Sequence, residues 1–207
     1  MADEKCKTCR RTGQKLFLKG EKCFSHKCPI SKKPYPPGKK SKRPKPSSEY
    51  GLQLKEKQKL KFSYGLRETQ FVNYLKKAMK KGGSDIGKQI IGLLEFRLDN
   101  AVYRLGLAQS RSKARQMISH GHICVNNRKT NIPSFQLEKG DKISIRTESL
   151  SKKIFTDIDV YLKKYNPPSW LKLDKTKKTG EVIKKTPEEE KLEMDIKINS
   201  VIEFYSR

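Results

Sequence analysis

The stretch RLDNAVYRLGLAQSRSKARQMISHGHICVNNRKTNIPSFQLEKGDKISIR, Arg97 to Arg146, sets two helical patterns and a β-hairpin pattern end to end, with basic residues throughout. Leu94, Leu98, Ala101, Val102 and Leu105 recur at helical spacing, which predicts a helix that packs on one face and leaves Arg97, Asn100 and Arg104 outside. Gly106 stops that helix, and Ser110 is placed to cap the next, because its hydroxyl can accept from the free N–H groups of a helix start. Ala114, Met117 and Ile118 supply the second buried stripe before Gly121. That stripe needs none of Arg111, Lys113, Arg115, Gln116 and His120, all donors that suit phosphate oxygens and base edges. His122 to Asn126 then alternates around Ile123 and Val125, and Asn126-Asn127 fits a tight turn whose central positions need positive φ. Lys142 to Arg146 alternates again, after the turn signal Lys139-Gly140-Asp141. The pattern implies a small module, residues 97–156, of two helices and a short antiparallel sheet that grips RNA, with His122 and Asn126 among its donors.

The order Ser-Arg-x-x-Ala-Arg-Gln, His-Gly-His-Ile-x-Val-Asn, Pro-Ser, Gly-Asp-x-Ile closely resembles the RNA-binding domain of the ribosomal S-four family. The resemblance extends upstream through Tyr35-Pro36-Pro37-Gly38, Glu56-Lys57-Gln58-Lys59-Leu60, Gln70-Phe71 and Leu93-Leu94-Glu95, and downstream through Trp170-Leu171 and Glu203-Phe204-Tyr205-Ser206-Arg207. It thus covers nearly the whole chain. One departure is Asn127, where the family commonly has Gly; the hairpin stands and only its turn type is affected. The resemblance implies a protein of the small ribosomal subunit that binds its rRNA early in assembly at a multi-helix junction of the 5′ domain. It further implies neighbouring small-subunit proteins as partners, mRNA close by where it enters the subunit, and an influence on decoding fidelity.

Charge points the same way independently. The chain has 48 Lys+Arg against 22 Asp+Glu, a net charge of +26 on 207 residues, which would repel itself without a polyanion. Residues 1–62 carry 19 basic and 5 acidic side chains, residues 63–156 carry 18 and 7, and residues 157–207 carry 11 and 10. The first three quarters are therefore expected to line the polyanion, and the last to pack on protein or face water. No apolar run approaches the ~20 residues of a membrane span, and the start of the chain lacks a signal-peptide core, so a cytosolic protein with no membrane partner is expected.

In a reducing cytosol, cysteines more often hold metal than form disulfides. Cys6-x-x-Cys9 and Cys23-x4-Cys28, thirteen residues apart, can converge tetrahedrally on one structural Zn²⁺. Lys5, Lys7, Arg10, Lys22 and Lys27 would favour the thiolates. The alternative is four inert thiols, since the S-four family includes members without these cysteines; His26 is a further ligand candidate, and Cys124 reads as a strand residue. The metal has a physical purpose, because residues 1–48 have few apolar side chains and many prolines and lysines, too little to fold alone.

From Ser31 to Ser48 the chain reads as an extended basic arm, ordered against RNA, with Arg10, Arg11, Lys39 and Lys40 as phosphate contacts. Tyr35 either stacks on a base or packs on its neighbouring prolines. Beyond it, Leu52, Leu54 and Leu60 with Lys55, Lys57, Lys59 and Lys61 predict a basic helix. Phe71, Leu75 and Met79 predict another after Arg67, ended by Gly82-Gly83, with Ile86 to Leu94 leading into the module. The expected fold class is α+β: a zinc-binding N-terminal arm (1–48), a mostly helical subdomain (49–96 closed by 157–207), and the RNA-binding module (97–156).

Arg97-Leu98-Asp99 resembles the catalytic triplet of pseudouridine synthases, yet it lies inside the module's own first helix with no further domain to hold a uridine, so Asp99 is expected to pair with a nearby Arg or to make capping contacts. His120 and His122 have no accompanying nucleophile, and no Gly-rich phosphate loop exists. An enzyme and a small-molecule substrate are not expected. The alternatives are an RNA-modification accessory protein, a stress protein acting on stalled ribosomes, and a repressor of its own message.

Overall fold

The computed structural model describes residues 4–39, 46–81, 85–156, 158–184 and 196–206. In chain order these form helices α1 (Glu4–Thr12), α2 (Glu21–Phe24), α3 (Pro29–Lys32), α4 (Glu49–Ser63), α5 (Glu68–Lys81), α6 (Ile86–Glu95), α7 (Leu98–Arg104) and α8 (Arg111–Ser119). Strands β1 (Ile123–Val125), β2 (Arg128–Lys129) and β3 (Lys142–Ile145) follow, then α9 (Ile158–Lys164), β4 (Leu171–Asp174), β5 (Thr179–Val182) and α10 (Ile198–Ser206). The chain divides into two compact units, Met1–Lys88 with Lys191–Arg207, and Gln89–Glu190. Lys40 and the expected breaker Gly82-Gly83 lie outside the described residues.

In the first unit, Cys9, Leu16, Cys28 and Ile30 form a small core under α1 and α3, with Leu18, Phe62 and Ile196 packed against it. Ser48 caps α4 by accepting from the Gly51 N–H at 3.2 Å, as a side-chain oxygen ahead of a helix should. Leu60, Phe71 and Leu75 are buried at the positions their periodicity requires, whereas Leu52 is 53% exposed. Helix α10 runs along α4, where Glu203 accepts from Gln53 Nε2 at 3.2 Å.

The second unit has one continuous core built from α7, α8, the sheet and residues 155–182, including Leu98, Leu105, Met117, Ile118, Ile143, Phe155 and Trp170. Each such fully buried side chain contributes roughly 1.5–3 kcal/mol of transfer free energy. The sheet is antiparallel with strand order β2-β1-β3-β5-β4. Asn126 and Asn127 have φ of 49° and 64°, the left-handed pair that a two-residue hairpin demands, so Asn127 meets the requirement usually met by Gly.

Two expectations from the sequence are corrected. The stripe from Leu94 to Leu105 does not lie on one helix: α6 ends at Glu95, and Arg97 is extended (φ −70°, ψ 137°) and bridges to Gln136. The cause is tertiary. The Leu98 and Asp99 N–H groups, which α7 itself cannot satisfy, donate to the carbonyls of Phe135 and Pro133 at 2.9 and 3.0 Å. Residues 157–207 likewise do not act as one segment. Strand β5 pairs with β3 in the register Lys142–Glu181, Ile143–Gly180, Ser144–Thr179, which carries β4 and β5 into the second unit, while α10 joins the first. Among the described residues no helix is long and apolar enough to cross a membrane.

Candidate nucleic-acid interface

Helix α8 is held by its stripe: Ala114, Met117 and Ile118 are almost wholly buried, and Ser110 Oγ accepts from the Lys113 N–H at 3.3 Å to cap its start. Gly121, with φ of 71°, turns the chain out at its end. What remains on the outer face is Lys113, half-buried, with Gln116 and His120 exposed. These three are brought together on one helix and its end.

The arginines expected beside them are instead drawn inward. The Arg97 side chain is 1% exposed, and its guanidinium donates twice to Asp99, Nε to Oδ1 at 3.0 Å and Nη2 to Oδ2 at 2.8 Å. Arg115 donates to the same Oδ2 through Nε at 3.1 Å and Nη2 at 2.7 Å while its side chain stays 35% exposed. Beside this triad, Arg104 and Asn100 both donate to the Glu95 carboxylate. Arg111, buried, donates to Asn100 Oδ1 at 2.8 Å and lies over the Tyr103 ring at 4.6 Å. Helical spacing put these cations outside because it gives the direction of a side chain from its own helix; it does not show that Asp99, Glu95 and Asn100 draw them in. Asn100, between Glu95 and Arg111, is fully buried.

His122 is also inside. Its Nδ1 lies 3.0 Å from Ser149 Oγ and its ring meets Phe155 edge-on. Burial, reinforced by Lys152, His120 and Arg146, lowers its pKa below the ordinary imidazole value, which favours the neutral ring. Asn126 is exposed but committed to the hairpin, donating to Asp141 Oδ1 at 2.8 Å and accepting from the Lys142 N–H at 2.9 Å. Sequence reasoning missed Arg128 and Lys129, exposed on β2 with no ion-pair partner among the described residues. Their signal was two adjacent cations directly after the Asn-Asn turn.

In the first unit the basic residues split the same way. Arg10 is an intramolecular clamp: Nε donates to the carbonyls of Lys33 and Tyr35 at 3.1 and 2.9 Å, Nη2 reaches Pro36, and the guanidinium lies 4.9 Å from the centre of the Tyr35 ring. Tyr35 is thus covered by a cation on one face. Lys57 and Lys61 both pair with Glu68, Lys57 sits over the rings of Phe204 and Tyr205, and Lys59 pairs with Glu56 at 2.6 Å. Burial of Glu68 would raise its pKa, but hydrogen bonds from Lys57, Lys61 and Tyr205 outweigh it and hold the carboxyl at about 2. Arg11, Lys39, Lys55 and Arg67 remain exposed.

Cys6, Cys9, Cys23 and Cys28 come into one neighbourhood as free thiols, three of them buried, and Cys6 and Cys9 each feel Cys23 and Cys28 electrostatically. Burial raises the pKa of both, more than Lys22 can offset at Cys6, contrary to the expectation that lysines would favour thiolates. Among the described residues no group of three or more His, Cys, Asp or Glu side chains is arranged to hold a metal ion. The donor set is right for zinc in chemistry, but its four sulfurs are not arranged around one metal position in this geometry. Cys124 is half-buried in β1.

Comparison with known proteins gives the chain a family context. Residues 1–95 match the model of the ribosomal protein S4/S9 N-terminal domain, and residues 96–143 match the S4 domain. Small ribosomal subunit protein uS4 of Halothermothrix orenii is 45% identical over 202 residues, covering 98% of this chain and 96% of the relative. The protein of the same name from Caldicellulosiruptor saccharolyticus is 46% identical with the same coverage, and that of Syntrophomonas wolfei is 45% identical over 207 residues, 99% and 98% of the two chains.

Proposed function

The chain belongs to the uS4 family of small ribosomal subunit proteins, and from that premise we propose that it is a structural constituent of the small subunit that grips folded ribosomal RNA beside neighbouring small-subunit proteins. The observation that carries this reading is a net charge of +26, from 48 Lys+Arg against 22 Asp+Glu, in a chain where Glu56, Glu68, Glu95 and Asp99 are already paired with cations of the same chain. The surplus charge is positive, and phosphate is what neutralises it. Catalysis lies outside this reading, since Asp99 is held between the guanidiniums of Arg97 and Arg115 and has no free edge for a substrate.

Within the subunit we assign the chain to early assembly of the 5′ domain of 16S rRNA, to a place near incoming mRNA and to decoding accuracy, acting in the cytoplasm. The fixed motif order shared with the family supports this. Lys113, Gln116 and His120 on α8, with Arg11, Lys39, Lys55 and Arg67 in the first unit, are assigned as rRNA contacts. A folded 5′-domain fragment should outcompete unstructured RNA of equal length by a margin that persists as salt rises, because charge attraction fades for both ligands alike whereas a match of shape does not. Equal decay of both affinities, with no preference left at moderate salt, would refute it.

We also propose one structural zinc on Cys6, Cys9, Cys23 and Cys28, supported by their spacing, their common neighbourhood and the small core around Cys9 and Cys28. Bound metal would supply folding free energy to an arm poor in apolar surface. Elemental analysis of protein purified without chelator should give about one zinc per chain, lost in Cys9→Ser and retained in Cys124→Ser. Absence of zinc from the parent protein would sink this assignment.

A further inference from the structure

Beside α8, the second unit contains a groove of about 760 Å³ with two unlike walls. One wall is β2, with Arg128 and Lys129; the other is the loop bearing Asn131, Ile132 and Phe135. The loop wall is fixed. The Phe135 N–H donates to the Ile132 carbonyl at 3.1 Å, and its own carbonyl accepts from the Leu98 N–H at 2.9 Å, so the backbone beneath the ring is tied to the start of α7. Yet Phe135 is 38% exposed and Ile132 58% exposed, an unusual use of large apolar side chains at so well-anchored a place.

The cations are equally uncommitted. Neither Arg128 nor Lys129 has an ion-pair partner among the described residues, and no acidic side chain lines the groove. The stem of Lys129 lies across Gly121, where a Cβ would fall 2.3 Å from its Cε. Lys129 therefore runs from the groove to the end of α8, joining the groove to the helix face already assigned to RNA.

An aromatic face, an aliphatic neighbour, two free cations and amide groups, with no acid, suit a ligand that is flat and apolar on one side and anionic on the other. We propose that this groove takes one unpaired nucleotide of RNA, its base against Phe135 and Ile132 and its phosphate toward Arg128 and Lys129. An acidic peptide would satisfy the cations but gives no reason for the exposed ring. Stacking on a ring tolerates any base, so the groove adds affinity for a nucleotide extruded from folded RNA without reading its identity. The inference rests on the RNA-binding reading above and assigns it a second point of contact distinct from α8.

The full-length protein would be irradiated with an octauridylate carrying one 5-iodouridine, the adducts mapped by mass spectrometry, and affinities measured by filter binding. The expected adduct is on Phe135. Phe135→Leu should weaken octauridylate binding roughly tenfold or more with the salt slope unchanged, and Phe135→Tyr should restore it. Replacing Arg128 and Lys129 by Ala should instead flatten the log–log salt slope by about 0.7, one single-strand phosphate's worth. Circular dichroism confirms that each variant is folded. Adducts confined to other residues, or unchanged binding in Phe135→Leu, overturn the proposal, as does a Phe135→Leu variant that binds octauridylate normally but loses a small-subunit protein. The wider reading is tested separately with Lys113→Ala and Gln116→Ala on the 5′-domain fragment; loss there with an unaltered Phe135→Leu variant removes the groove alone.

Discussion

Asp99 stands between a guanidinium that is sealed from water and one that is one-third exposed, and the two will not tolerate its loss equally. Asp99→Asn keeps the shape but deprives the buried charge of Arg97 of its carboxylate, which should destabilise the second unit by about 3–5 kcal/mol. Urea denaturation followed by the fluorescence of Trp170, the single tryptophan and fully buried in that unit, measures it. A change under about 1 kcal/mol would mean that water or another group already solvates Arg97. Glu68 makes a prediction of opposite character. Its carboxyl is held at about 2 against an ordinary 4.5, so the stability it adds is present above 4.5 and is lost as the pH falls toward 2. With 43% of the side chain exposed, Glu68→Gln should cost on the order of 1 kcal/mol at neutral pH, and the gap to the parent should close as the pH falls through that window. The parallel rise in the Tyr205 pKa, from burial and its hydrogen bond to Glu68, ties α10 to the same group.

At the scale of the elements, the join of β5 to the module is a close approach of strand to helix. A Cβ on Gly180 would fall 2.3 Å from Leu105 Cδ1 and 2.5 Å from Cδ2, and Leu105 is fully buried with nowhere to move. Gly180→Ala should therefore cost about 1–3 kcal/mol by overpacking, and pairing it with Leu105→Ala should recover part of that loss in a double-mutant cycle. Additive costs would show that β5 does not press on α7 there. Ser110→Ala, which removes the α8 cap, should cost about 1 kcal/mol, with RNA affinity falling only as far as the helix frays. The caps and turns of these elements were legible in the sequence because each depends on residues a few positions apart. The break between α6 and α7 was not legible, because hydrogen bonds to the carbonyls of Pro133 and Phe135, more than thirty positions away, make it.

For the whole molecule, a +26 chain without RNA repels itself, and that repulsion is screened by salt. The melting temperature of the free protein should rise as sodium chloride goes from low to moderate concentration, read from Trp170 fluorescence, with most of the gain at low ionic strength. A flat or falling dependence would mean that the internal ion pairs, which salt weakens, outweigh the repulsion between exposed cations. The sequence by itself determined the charge, the period of the helices, the cap at Ser110, the Asn126-Asn127 turn and the order of motifs that marks the family, all properties of composition or of neighbours along the chain. Only the tertiary structure decided which cations face outward. Arg97, Arg104, Arg111, Lys57 and Lys61 are turned into ion pairs and hydrogen bonds, while Arg128 and Lys129 are left free beside Phe135. The physical reason is that a side chain's exposure depends on what the rest of the chain lays over it: a buried cation persists only where the fold sets a carboxylate or amide to meet it.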